Sequence, residues 1–279
     1  MNALGYYNGS FGPLDEMTVP MTDRAVYYGD GVYEATPTRN FKIYAIDAHV
    51  DRMFRSASML RIEMPLSKEE LKSELKSMMT HMDQGDNVLY WQVSRGTARR
   101  AHPFPEGKAN LMMMITPYKF PDLYQNVSLM TEEDTRFLHC NIKTLNLIPS
   151  IMAMQKAKEN GCYEAILHRG ERVTECSKSN VSILKNGTLI TAPTDNLILA
   201  GIARSHILEA CKALGIPVEE RPYTVKELMD ADEVFASSST SFIRRAEKVD
   251  GEAHFMKDEE TFSKIRAYVW ERFIKETNV

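Results

Sequence analysis

The stretch EAILHRGERVTECSKSNVSILKNGTLIT, residues 164–191, is a series of short apolar runs broken by turn residues. EAILH and RVTE flank a turn at Arg169-Gly170, and VSIL and TLIT flank Asn186-Gly187. Asn-Gly between two apolar runs is a strong hairpin signal, because both residues tolerate the positive φ of a tight two-residue turn. Strands therefore crowd the middle of the second half. Around them the period changes to that of helices. GIARSHILEACKALG, residues 201–215, carries Ile202, Ile207, Leu208, Cys211 and Leu214 on one face and stops at Gly215 and Pro217. IMAMQKAKEN, residues 151–160, is stopped by Gly161. Thr224 and Glu227 form a capping box, EVFAS and FIRRAEKV read as strands, and Phe262, Ile265, Val269 and Phe273 mark a final amphipathic helix.

The first half mixes the same ingredients. Asn8-Gly9 between aromatic residues signals a hairpin. Val50, Met53, Phe54, Ala57 and Leu60 have helical spacing, and Ser67 with Glu70 opens a second helix through a capping box. NVLYWQVS and ANLMMMIT read as strands. TPYKFPDLYQ, residues 116–125, has two prolines and no period. The expected division is a domain over 1–117, a connection over 118–125 and a larger domain over 126–279. The expected class is α+β in two domains.

Bulk properties narrow the function. The chain has 279 residues, a formal net charge of −4 and no basic block, so no electrostatic footprint for nucleic acid is present. No apolar run is long enough to cross a membrane, and the N-terminal stretch has no export pattern. Cys140, Cys162, Cys176 and Cys211 form no Cys-x-x-Cys pair and read as reduced thiols of a cytoplasmic protein.

One residue does not fit its surroundings. In HCNIKTLNLIPS, residues 139–150, Lys143 stands among Ile142, Leu145, Leu147 and Ile148, where a strand is expected. Burying an unpaired ammonium is costly. Either the stem packs and the charge reaches solvent, or the amine is neutral or held as an imine. Imine chemistry on a phosphorylated pyridine cofactor needs a lysine, an acid for the ring nitrogen, a phosphate cup and a substrate-carboxylate clamp. Glu175, at the end of a strand-like run, is the acid candidate. The helix start at Gly201, the run Ala236–Ser241 and Arg52 are candidates for the cup, since free amides, hydroxyls and a guanidinium all bind phosphate. Arg100 and His102, two apart in RGTARRAHPFP, would project to one side of an extended chain and could grip a carboxylate. Each feature taken alone is also an ordinary strand end, helix start or basic loop.

Taken in order, GDGVYE (29–34), HVDRMFRSA (49–57), IKTLN (142–146), EAILHRGERVTECSKSN (164–180), LAGIARS (199–205) and ADEVFASSSTS (231–241) resemble the fold-type IV, or class IV, aminotransferases. The resemblance implies a small N-terminal α/β domain and a larger C-terminal β-barrel-like domain with helices. It implies pyridoxal 5′-phosphate as cofactor and a homodimer with the site at the domain junction, reached by a loop of the other subunit. It also implies the roles: Lys143 as Schiff-base lysine, Glu175 as partner of the pyridine nitrogen, and Arg52, Ile202, Ala203, Ser238 and Ser239 around the phosphate. RGTARRAHPFP resembles the D-amino-acid aminotransferase branch, in which Tyr33, Arg100 and His102 would hold the substrate α-carboxylate. D-amino-acid transamination with 2-oxo acids, such as 2-oxoglutarate or pyruvate, is therefore expected. Within the same family the alternatives are aminodeoxychorismate lyase and L-branched-chain or (R)-amine transfer. The chain departs from the pattern at Cys176 and Lys178, at Ala203 in place of a threonine, and at Arg244 and Arg245.

Overall fold

The computed structural model describes residues 3–253 and 255–278. Contacts between Cα atoms divide the chain into two units. The first comprises the residues up to Phe120, then Ile142–Asn146, then those from Phe273 onward; the second comprises Pro121–Asn141 and Leu147–Arg272. The linear division drawn from the sequence places 142–146 and 273–279 with the C-terminal part, whereas the contacts assign both to the first unit.

The first unit is built on six strands: β1 (Leu4–Tyr7), β2 (Ser10–Pro13), β3 (Gly31–Arg39), β4 (Lys42–Ile43), β5 (Asn87–Ser94) and β6 (Asn110–Pro117). They form one antiparallel sheet in the order β2-β1-β6-β5-β3-β4. Asn8 and Gly9, at φ 47° and 93°, close the hairpin between β1 and β2 as their sequence predicts. Alternation along β5 and β6 sends Leu89, Trp91, Val93, Leu111, Met113 and Ile115 into the core. There they meet Val50, Met53 and Ala57 of α2 (Ile46–Met59) and Leu71, Leu75 and Met78 of α3 (Lys68–Met79). The Ser67–Glu70 capping box is formed at the start of α3. A short α1 (Arg24–Tyr28) precedes β3.

The second unit carries eight strands: β7 (Val127–Glu133), β8 (Glu164–Arg169), β9 (Arg172–Cys176), β10 (Asn180–Lys185), β11 (Thr188–Thr191), β12 (Val218–Glu220), β13 (Glu233–Ser238) and β14 (Phe242–Val249). Their order is β12-β11-β10-β13-β14-β7-β8-β9. The sheet is curled, because the inner residues of strands along its length close on one cluster. Leu129, Ile166, Val173, Val181, Ile190, Val234 and Ala246 all belong to it. This is the barrel-like unit expected. Asn186 and Gly187, at φ 50° and 73°, turn β10 into β11. The helices are α4 (Ile148–Glu159), α5 (Ile202–Leu214), α6 (Val225–Met229), which opens with the Thr224–Glu227 capping box, and α7 (Glu259–Thr277). Leu184, Ile207, Cys211, Phe235, Phe262, Ile265 and Val269 pack α5 and α7 against the sheet.

One expected element is absent. Residues 142–146 are not a strand; they make a single bridge, Thr144 to Val32. The apolar composition is strand-like, but a one-residue bridge does not make a ladder. Close approach at this point depends on Gly31. A Cβ there would lie 2.6 Å from the Val93 carbonyl oxygen and 2.8 Å from Leu145 Cδ1. Gly31→Ala is expected to destabilise the fold by about 1–3 kcal/mol through overpacking, measured as a lowered urea midpoint at unchanged m-value.

Candidate active site

In the first unit, Lys143 is fixed through its backbone. The Tyr33 amide donates to the Lys143 carbonyl at 3.0 Å, and the Leu145 amide donates to Gly31 at 3.1 Å. The Lys143 amide donates to the buried hydroxyl of Ser56 on α2 at 3.3 Å. The side chain is half-buried, with Nζ 4.2 Å from the centre of the Tyr33 ring. The ring thus gives the amine a polarisable apolar neighbour in place of water on that side.

β3 alternates, so Glu34, next to Tyr33, faces the helices. Glu34 is fully buried and accepts from Arg52 Nε and Nη2, both at 2.7 Å. His49 Nδ1 lies 2.7 Å from the same carboxylate. Burial pushes the Glu34 carboxyl up, but Arg52 and His49 outweigh it and hold it at about 2. Burial holds the His49 imidazole below its ordinary value, against the pull of Glu34, and the Lys143 charge works in the same direction as burial. A neutral His49 with its proton on Nδ1 follows, because Glu34 has only acceptors to offer. Arg52, a candidate for phosphate, is thus held in one orientation by a two-point bond. Sequence reading missed Glu34 and His49. Their one signal was His49 and Arg52 three apart on a helix, which places both on one face.

Arg100 and His102 are exposed, in a loop of bends rather than an extended run. Both flank Tyr28 instead of Tyr33. The Arg100 guanidinium is 5.2 Å from the Tyr28 ring centre and the His102 ring is 5.6 Å from it. Arg24 pins the loop by donating to the Ala101 carbonyl at 2.7 Å, while its Nε binds Asp30 at 2.7 Å. Tyr33 stacks on Tyr90, ring centres 5.6 Å apart. The Tyr28 hydroxyl is buried and has no hydrogen-bond partner among the described residues.

In the second unit, Glu175, the last residue but one of β9, is a buried acceptor. One oxygen meets Arg136 Nη1; the other accepts from Asn180 Nδ2 at 2.9 Å and the Leu199 amide at 3.1 Å. Arg136 is itself anchored by Asp134 at 2.9 Å and by the Leu197 carbonyl at 3.1 Å. Burial pushes Asp134 up, but its bonds to Arg136 and Arg169 outweigh this and hold it below the ordinary carboxylate range. Asn180 also sets the start of α5, since a Cβ on Gly201 would fall 1.9 Å from Asn180 Oδ1.

The start of α5 has no capping side chain, and the first amides of a helix have no partner within it. The amides of Ile202 and Ala203 are on buried residues and have no acceptor among the described residues. Ser238, which ends β13, places its Oγ 2.6 Å from Ser241 Oγ, with Ser239 next in the turn. Helix-start amides without acceptors and serine hydroxyls in a turn are both kinds of donor that a phosphate monoester takes. These residues fit a phosphorylated cofactor. Ala203 lacks a threonine hydroxyl but keeps the amide. Cys176 is fully buried in the core cluster, and burial pushes its thiol well above the ordinary value, so it is an inert packing group.

The description amino-transferase class IV covers a family whose model matches residues 31–249. D-alanine aminotransferase of Listeria monocytogenes serotype 4b (strain F2365) is 41% identical over 243 residues, spanning 85% of this chain and 84% of that one. D-alanine aminotransferase of Bacillus licheniformis is 38% identical over 252 residues, spanning 88% of each. Among solved structures, the branched-chain amino acid aminotransferase from Escherichia coli superposes with a TM-score of 0.90 at 22% identity, covering 100% of this chain and 96% of that one. At that identity the likeness establishes the fold.

The Glu34 cluster gives a pH signature. Its folded value, about 2, is below the 4.5 of a free glutamate, so its stabilisation is complete above 4.5 and is lost as pH falls toward 2. The difference is worth about 3 kcal/mol. His49 acts in the same direction, since the unfolded chain takes up a proton below about 6.5 that the folded chain resists. Urea midpoints are expected to fall steeply between pH 5 and 3. Glu34→Gln, which takes the buried countercharge from Arg52, is expected to cost about 3–5 kcal/mol at pH 7 and to flatten that slope.

Proposed function

The chain belongs to the class IV aminotransferase family, and on that premise we propose that it transfers the amino group of D-amino acids to 2-oxo acids, with pyridoxal 5′-phosphate as cofactor. D-alanine and D-glutamate are the proposed donors, and 2-oxoglutarate or pyruvate the acceptors. The single observation that carries this reading is Lys143, an amine set on a backbone clamp against an aromatic ring. The relatives named D-alanine aminotransferase support the choice of donor.

When bound, the cofactor supplies an electron-withdrawing pyridine that accepts the electron pair left as the α-proton departs. The chain's own residues do the rest. Lys143 Nζ holds the cofactor between turnovers and, once released as a neutral amine, takes the α-proton and returns it one position along. Glu175, already loaded with donors that favour its anion, keeps a proton on the ring nitrogen. The amides of Ile202 and Ala203, the hydroxyls of Ser238 and Ser239, and Arg52 hold the phosphate. Tyr33 orients the substrate carboxylate together with Arg100 and His102, which lie beside Tyr28 in their own chain and reach the site on the loop of the other subunit, and the Arg100–His102 pair is what argues for D donors over L-branched-chain ones. Two substrates served in turn by one amine give ping-pong kinetics.

A homodimer in the cytoplasm completes the proposal. The exposed loop bearing Arg100 and His102 is the segment available to a second copy. All four cysteines are free thiols, and among the described residues no helix is long and apolar enough to cross a membrane.

Lys143→Ala is expected to abolish transfer from D-alanine to 2-oxoglutarate and the visible absorbance of the purified protein. Turnover at the wild-type rate would refute the assignment. Arg100→Ala is expected to raise KM for D-alanine by about ten- to a hundredfold, the loss of one charge-assisted contact of about 1.5–3 kcal/mol. A panel of D- and L-amino acids as donors tests the stereochemical choice.

A further inference from the structure

Two adjacent arginines on β14 have opposite surroundings. Arg245 is buried and neutralised: it donates to both oxygens of the buried Glu233 at 2.7 Å and also meets Glu259. Arg244 is equally buried, at 4% exposure, yet its one hydrogen bond among the described residues goes from Nη1 to the Asp122 carbonyl. Among the described residues its Nε is buried with no partner, and no carboxylate pairs with it. A buried guanidinium with five donors and one neutral acceptor is under-satisfied by any ordinary standard.

A second cation without a carboxylate within ion-pair distance among the described residues stands close by. Lys178 is exposed and its Nζ lies 4.6 Å from the centre of the Tyr163 ring; the Arg244 guanidinium lies 5.9 Å from the same centre. Glu164, which feels the Lys178 charge, makes no ion pair with either among the described residues. It is fully buried and already accepts from the Lys178 amide at 2.6 Å, Ser179 Oγ at 2.8 Å and Ser177 Oγ at 3.3 Å. Burial pushes its carboxyl up, against those donors and the Lys178 charge. Both cations also stand on segments assigned to the cofactor. Lys178 is in the turn that follows Glu175, and Arg244 is on the strand that leaves the Ser238–Ser241 turn, paired there with Ala236.

We infer that Lys178 and Arg244, gathered on the Tyr163 ring, form an anion subsite for the distal carboxylate of a dicarboxylic substrate, the five-carbon oxo acid and its D-amino counterpart. The inference rests on the aminotransferase reading and narrows its substrate class. A monocarboxylic substrate has nothing to offer these cations, so the subsite discriminates by charge rather than by size.

The test uses the cofactor-loaded enzyme. Titration calorimetry compares glutarate, an unreactive dicarboxylate, with pentanoate, its monocarboxylate counterpart of equal length. The wild type is expected to bind glutarate about tenfold tighter, the effect of one partly screened charge-assisted contact. Lys178→Ala, a surface substitution that the fold tolerates, is expected to remove most of that preference. It is also expected to lower the ratio of kcat/KM for 2-oxoglutarate to that for pyruvate about tenfold. Arg244→Lys is expected to keep part of the preference and Arg244→Gln to lose it. Equal glutarate affinity in wild type and Lys178→Ala, in an enzyme that transfers from D-alanine, would overturn the subsite and leave the aminotransferase reading intact. No transfer by the wild type from any D-amino acid would overturn the reading itself, and the substrate claim with it.

Discussion

The chemistry proposed here depends on where one amine is held, and that is settled by main-chain hydrogen bonds. The Lys143 carbonyl accepts from Tyr33, its amide is taken by Ser56, and Leu145 reaches Gly31. A lysine side chain is flexible, and a loop carrying it would ordinarily wander. Here the loop is tied on either side of Lys143 to β3 and to α2, the two elements that also supply Tyr33, Glu34, His49 and Arg52. Small displacements of a reacting group are costly to rate, and attachment to a sheet edge and a packed helix limits them.

The buried carboxylates of the two units follow one rule with different partners. Glu34 is matched by Arg52 and a neutral histidine, Asp134 by Arg136 and Arg169, and Glu233 by Arg245. Glu164 is hydrogen-bonded by amide and hydroxyl donors, with the Lys178 charge acting at longer range, and burial leaves its carboxyl raised. An anion placed among donors needs no full countercharge, whereas a cation stranded among carbonyls and rings still lacks one. That asymmetry is why Arg244 stands apart from the other buried arginines. It also explains how Glu175 can be both an internal structural acceptor and a candidate for chemistry. Its donors, Arg136, Asn180 and the Leu199 amide, fix its position and favour its charge at once.

Much of this was legible in the chain itself, for local reasons. Asn8-Gly9 and Asn186-Gly187 announce hairpins because few other residues accept those dihedral angles. Ser67 with Glu70 and Thr224 with Glu227 announce helix starts because they satisfy amides within three residues. Lys143 was conspicuous because its charge contradicts its neighbours. What escaped notice was non-local. Residues 142–146 look like a strand by composition, but they meet β3 at a single bridge rather than along a ladder. Glu34 reads as the polar side of an alternating strand until α2 brings Arg52 and His49 over it. Arg136 is just another charged residue until β9 places Glu175 beside it. The proposed carboxylate clamp shows the same limit. Spacing predicts that Arg100 and His102 act together, and only the folded loop discloses that their shared neighbour is Tyr28.

The first unit draws its parts from three separate stretches of polypeptide, and this bears on its assembly during synthesis. Its N-terminal six strands and two long helices can emerge and collapse early. Yet Asn40 is hydrogen-bonded by its side chain to the Thr277 carbonyl, and Tyr44 packs edge-on against Phe273. Those contacts cannot exist until the ribosome has threaded residue 277 through its exit tunnel. The residues of the second unit are synthesised between the two sides of those contacts. N-terminal-first folding, the usual order for multidomain chains, thus leaves these contacts of the first unit to be completed by the last helical turn.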